Sequence, residues 1–181
     1  DTEERRAAQA LLADVGAKPG ARPRIAIHLG AAYGPAKVWP TARVVELCRA
    51  LAADDIVPIL LGTPAEMGAA ADVQGEAEAV SLVGRDTPAL LPAVLAEVDV
   101  LVSGDTGVAH LAAALGTAVV TLFGPTDPRL SAPRGRAQTV THPVPCAPCF
   151  YRACPIDHPC MRGITAADVA ARVRALAAVP A

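Results

Sequence analysis

The chain has 181 residues, is 52% hydrophobic but only 3% aromatic, and carries a net charge of −2 with a pI near 6.1. That length is enough for one ordinary domain with a real core. Without a basic excess or an aromatic surface for stacking on bases, nothing points to nucleic acid or to an acidic membrane surface.

In chain order, residues 3–14 read as a helix ended near Gly16 and Gly20, and 24–29 as a short buried strand. A glycine-containing loop, residues 30–37, ends in Lys37. Pro40 sits where helices start, and 41–53 has helical spacing through Val44, Val45, Cys48 and Leu51. Residues 56–61 are a continuous apolar run, and Pro64 then opens a helix carrying Glu66. Residues 79–83 look like a strand closed by Gly84-Arg85-Asp86. Thr87-Pro88 reads as an N-cap with proline at the first helical position, and the helix is expected to run to Glu97. A strand is expected over 98–103, a helix over 106–115, a strand over 118–123, and one more short strand over 137–141. Residues 142–163 are rich in Pro and Cys and read as irregular. Thr165, with Asp168 three residues on, caps a last helix through Ala178.

Strands that are apolar throughout and alternate with helices belong in a parallel sheet covered on both faces. The fold class expected is α/β, a Rossmann-like doubly wound parallel sheet. The most apolar run, 108–123, is broken by His110, Gly116 and two threonines and is shorter than the roughly 20 residues that span a bilayer. The charged opening, Asp1 to Arg6, is unlike a signal peptide, so the expectation is a soluble, cytoplasmic protein.

Ligands of such sheets bind beyond the carboxyl ends of the strands, where Lys37, Glu66, Asp105 and Thr126 all fall. Asp105-Thr106-Gly107 stands where a strand gives way to a helix, whose free N–H groups and dipole favour an anion. Gly107 admits a phosphate close to the backbone, and His110 shares a helix face with Thr106. The plainer reading is a helix cap beside a satisfied histidine. Lys37 is either a mobile charge for a diphosphate or a solvated lysine, and Glu66 either a ribose ligand or a carboxylate complementing a helix dipole. There is no Walker motif, no Gly-x-Gly-x-x-Gly spacing and no Asp-x-Asp pair in the chain.

Cys48 reads as a lone core cysteine. Cys146, Cys149, Cys154, His158 and Cys160 lie within fifteen residues, a spacing similar to a compact metal knuckle. A structural zinc, free thiols and disulfides formed on purification are all compatible with it.

Taken together, four segments in order resemble glycosyltransferase family 9, the heptosyltransferases of lipopolysaccharide core synthesis. They are Gly34-Pro35-Ala36-Lys37-Val38-Trp39-Pro40, Leu61-Gly62 through Glu66, Asp105-Thr106-Gly107 through His110 and Gly116, and Leu122-Phe123-Gly124-Pro125-Thr126-Asp127. The first is most similar to the heptosyltransferase II form. Leu29 and Val38 stand where that family usually has proline and arginine. The resemblance implies that residues 1–181 are the C-terminal, donor-binding half of a GT-B enzyme. It implies an N-terminal half, absent here, that carries the catalytic aspartate and the acceptor site, so that no catalytic residue lies in this chain. It further implies an ADP-heptose donor, a lipopolysaccharide core acceptor, inversion at the anomeric carbon without a required cofactor, and action at the inner face of the bacterial inner membrane. Lys37 and the backbone at Thr106-Gly107 would hold the diphosphate, Asp105 and His110 the sugar or its phosphate, and Glu66 the ribose. Leu82 and Val83 would flank the adenine, with Thr126 completing the set. The rival expectations are a GT-B transferase using another nucleotide sugar, or a non-enzymatic, zinc-stabilised binding module.

Overall fold

Strand residues whose neighbours along the chain point to opposite faces, all apolar, need a layer of helices on each side. The computed structural model, which describes residues 2–17 and 23–178, has that arrangement. Six parallel strands, β1 (Ile25–His28), β2 (Ile59–Leu61), β3 (Val80–Ser81), β4 (Val100–Gly104), β5 (Ala118–Phe123) and β6 (Ala137–Thr141), lie in the order β3-β2-β1-β4-β5-β6. Eight helices connect and flank them: α1 (Thr2–Asp14), α2 (Thr41–Ala52), α3 (Met67–Glu76), α4 (Leu91–Ala96), α5 (Gly107–Ala114), α6 (Pro128–Ser131), α7 (Pro159–Gly163) and α8 (Ala166–Ala177). None of the helices in the described residues is long and apolar enough to cross a membrane.

The core divides by strand parity. Ile25, Ile27, Val100, Val102 and Val120 pack with α2, α3 and α8 on one face. Ala26, Ile59, Leu101 and Val119 pack with α1, α4 and α5 on the other. Small side chains such as Ala109 and Ala112 let α5 lie close on the sheet. The order reverses between β1 and β4, the point from which their following loops run to opposite faces; in open α/β sheets this is where ligands bind.

Several element boundaries depart from expectation. The helix expected from Thr87 begins only at Leu91, with 88–90 as a turn in which Leu90 and Leu91 donate to Thr87 O. Pro92 is the cause, because a helix begun at Pro88 would set the Pro92 ring against the carbonyl of that residue. Pro58 similarly delays β2 to Ile59. The helix opened by Pro64 starts as a 3-10 turn, Pro64–Glu66, before α3. The irregular 142–163 segment ends in α7, with Pro159 at its first turn, and the unforeseen α6 starts at Pro128 under an Asp127 cap. The expected Gly20 terminator lies outside the described residues.

Leu101, fully buried on the central strand, is predicted to cost about 2–5 kcal/mol when changed to Ala. The same change at Leu130, 76% exposed, should stay within about 0.5 kcal/mol. Urea denaturation of the two variants measures both.

Candidate functional site

The loops after β1, β4 and β5 meet at one buried carboxylate. Asp105 follows β4, and its Oδ2 accepts from Lys37 Nζ at 2.6 Å and from Thr126 Oγ1 at 2.7 Å. Lys37 also donates to the Asp105 carbonyl at 3.1 Å. All three side chains are buried. Lys37 is delivered by a 3-10 turn, Pro35–Lys37, and the loop is pinned by Trp39, whose indole N–H donates to Ile164 O at 3.2 Å. A Cβ on Gly104 would stand 2.9 Å from Lys37 O, so the close approach of the two loops requires glycine there.

Beside this trio begins α5. Its N-cap residue, Thr106, makes no capping bond; its hydroxyl instead pairs with Ser103 Oγ at 2.9 Å. The first turn of α5 therefore keeps free N–H groups, and the space around Gly107 is open. His110 is exposed on the same helix, with no hydrogen-bond partner among the described residues.

Glu66 closes a capping box: its Oε2 accepts from Thr63 N at 2.8 Å and from Thr63 Oγ1 at 2.7 Å. The helix-start role is thus realised. The carboxylate also lies against Gly30, where a Cβ would come within 2.8 Å of its Cδ, and its Oε1 accepts no hydrogen bond from the described residues. Leu82 corrects an expectation. It is fully buried in the core beneath β3 and offers no surface to a ligand, and Val83 is 8% exposed.

Two groups beside Glu66 escaped the sequence reading. Asp86 accepts from Gly62 N at 3.2 Å, while burial first, and the neighbouring Glu66 charge second, push its carboxyl up to about 6. His28, at the end of β1, is held below its ordinary value by burial against the opposing pull of Glu66, and its Nδ1 is buried without a partner among the described residues. Strand-end position was the available signal for both, but neither carried a motif. Tyr33 and Arg152 were also missed. Tyr33 lay in a featureless loop, and Arg152 meets it from 119 residues away.

No disulfide joins these cysteines in the structure: Cys146 is exposed, Cys149 and Cys154 are half-buried, and Cys160 is buried. Burial raises the Cys160 thiol, with Cys149 and Cys146 adding to it. The His158 backbone N–H donates to Cys154 Sγ at 3.2 Å. Among the described residues no three His, Cys, Asp or Glu side chains are gathered as a metal-holding group. Cys146, Cys149, Cys154, His158 and Cys160 are not gathered in that way.

Sheet order and the loops at the switch point define a Rossmann-like α/β fold. The model of glycosyltransferase family 9 (heptosyltransferase) matches residues 1–159, and the chain belongs to that family. It is 35% identical over 140 residues to lipopolysaccharide heptosyltransferase 1 of Pseudomonas aeruginosa, covering 76% of this chain and 39% of that protein. It is 31% identical over 118 residues to lipopolysaccharide heptosyltransferase 2 of Escherichia coli, covering 62% of this chain and 34% of that protein. Relatives of both types thus match at similar identity. Among solved structures, E. coli heptosyltransferase WaaC with ADP superposes with a TM-score of 0.68 at 28% identity, covering 94% of this chain and 48% of that one. E. coli ADP-heptose heptosyltransferase II gives 0.78 at 23% identity, covering 97% and 51%. The chain spans at most about half the length of these proteins.

Asp105→Ala leaves Lys37 buried and unpaired, and should destabilise the fold by about 3–5 kcal/mol in urea denaturation. Asp86 titrates higher folded than unfolded, so the folded state holds the extra proton between its ordinary value of 3.8 and about 6. Stability should therefore fall as pH rises across that window, by on the order of 1–2 kcal/mol for this partly screened group. Asp86→Asn should abolish the fall, melting higher than the native chain at pH 7.5 and alike at pH 4.

Proposed function

We propose that this chain is the donor-binding half of an inverting heptosyltransferase that moves heptose from ADP-heptose to the lipopolysaccharide inner core. The observation that carries the reading is the buried Lys37–Asp105–Thr126 trio set beside the open, uncapped start of α5. The N–H groups at Gly107 and the Lys37 ammonium supply preorganised positive charge where a leaving ADP gains negative charge. Asp105 fixes the ammonium and, with exposed His110, faces the sugar side of the diphosphate. The free Oε1 of Glu66 accepts from the ribose hydroxyls, while its Oε2 stays committed to Thr63. Val83, rather than Leu82, is the residue of that pair with surface to offer the adenine.

The open space around Gly107 and the exposure of His110 fit a half-cleft whose other wall belongs to a second domain. In the whole enzyme that domain holds the acceptor and the carboxylate base, which takes the proton of the acceptor hydroxyl as it attacks the anomeric carbon from the face opposite ADP. The chain alone binds the donor and does not transfer it.

Isothermal titration should show ADP binding to the isolated chain, and Lys37→Ala should weaken it about tenfold or more. UDP and GDP should bind more weakly than ADP. Equal binding of all three would favour a transferase for another nucleotide sugar, and no ADP binding by the folded chain at millimolar ligand would defeat the reading.

A further inference from the structure

The part of the Cys/Pro-rich segment before α7, residues 142–158, has no part in the strand–helix alternation, yet it is fastened to the donor face at both neighbouring loops. Cys149 N and Phe150 N both donate to Pro125 O, at 3.0 and 2.8 Å, in the loop that carries Thr126. Ala36 N donates to Arg152 O at 3.0 Å, in the turn that carries Lys37. Tyr33 joins the two segments: its hydroxyl donates to Phe150 O at 2.6 Å, and its carbonyl accepts from Arg152 Nε at 2.7 Å. At Gly34, with φ of 151°, a Cβ would stand 2.4 Å from Arg152 O, so the contact is built into the loop's sequence.

Arg152 is thereby held by its backbone and by its Nε, while its two terminal nitrogens make no hydrogen bond to the described residues. Its guanidinium lies 5.4 Å from the centroid of the Tyr33 ring, and Lys37 Nζ lies 4.5 Å from the same centroid. The two cations share one aromatic ring. Their charge states differ in availability. Lys37 is already matched by Asp105, and Arg85, Arg129 and Arg162 are matched by Asp14, Asp127 and Asp157. Arg152 is exposed and has no carboxylate partner among the described residues.

We propose that Arg152, presented by the Cys/Pro-rich segment through Tyr33, is the second cation of the diphosphate site. The proposal rests on the donor-site reading and adds to it. The Lys37 ammonium already shares its charge with Asp105, so together with the backbone N–H groups it compensates a diphosphate only in part. A guanidinium with both terminal nitrogens free offers paired donors that match two phosphate oxygens, and its fixed Nε keeps the ordering cost low. The segment's function is then to deliver this charge.

The test is calorimetric titration of the native chain, Arg152→Ala and Lys37→Ala with ADP and with adenosine. Arg152→Gln keeps a donor for Tyr33 O and replaces the Ala variant should that one melt early. Arg152→Ala should lose about tenfold or more in ADP affinity, with a shallower salt dependence, and nothing in adenosine affinity. Arg152→Lys should recover part of the loss. ADP affinity within twofold of native, or equal losses for ADP and adenosine, would overturn the proposal, the second result meaning that Arg152 only shapes the loop. If Lys37→Ala loses ADP while Arg152→Ala does not, this proposal alone falls. If the native chain binds neither ligand, the donor-site reading falls and takes this one with it.

Discussion

The ion pair between Lys37 and Asp105 is the contact on which the site depends. It buries two charges where the loops after β1 and β4 meet before turning to opposite faces of the sheet, and taking both out of water carries a large desolvation cost. Replacing such a pair by apolar residues of similar volume is often neutral or stabilising. Its presence is therefore better explained by what it leaves behind: an ammonium fixed in place, next to a helix start whose N–H groups no side chain caps. Much around it serves that placement. Gly104 yields the space for the Lys37 carbonyl, Thr126 takes a second bond on the same carboxylate oxygen, and Trp39 ties the loop back to the turn before α8.

The Cys/Pro-rich segment is the second constraint. It runs over the loops after β1 and β5, and its far end, α7, packs beneath the sheet end. A Cβ on Gly124 would lie 2.5 Å from Met161 Sδ and 3.0 Å from Cys160 Sγ. The sulfur atoms thus have a packing role at the base of the segment whatever else they bind. Change in the loop is felt at the donor wall, because Pro125 and Tyr33 are the points of attachment. Family membership fits the same picture, since the match to the family model runs from the first residue into α7.

The sheet was legible because its interior strands are runs of mostly apolar residues, broken only by His28, Ser103 and Thr121, a signal that needs no tertiary information. The placement of Lys37, Asp105 and Thr126 followed from it, since a parallel sheet puts all strand ends on one side. What they do to one another was not legible: that a single carboxylate oxygen serves both partners is a matter of loop geometry. The late start of α4 could have been read from Pro92, but the Thr87-Pro88 cap signal was locally stronger and drew the boundary forward. Leu82 was placed at the strand end correctly, but its inward direction depends on which face the short edge strand β3 turns to the core. Arg152 and Asp86 carry no periodic or motif signal. Each becomes significant only through a neighbour distant in sequence, Tyr33 in one case and Gly62 in the other.

The most direct measurement is a crystal structure of the chain grown with ADP. The diphosphate is expected over the start of α5, with an oxygen within hydrogen-bond distance of the Gly107 N–H and another of Lys37 Nζ, and the ribose beside Glu66. ADP seated instead at the opposite end of the sheet, in the hollow of about 330 Å³ lined by Glu97, Asp99, Thr117 and Arg136, would contradict it.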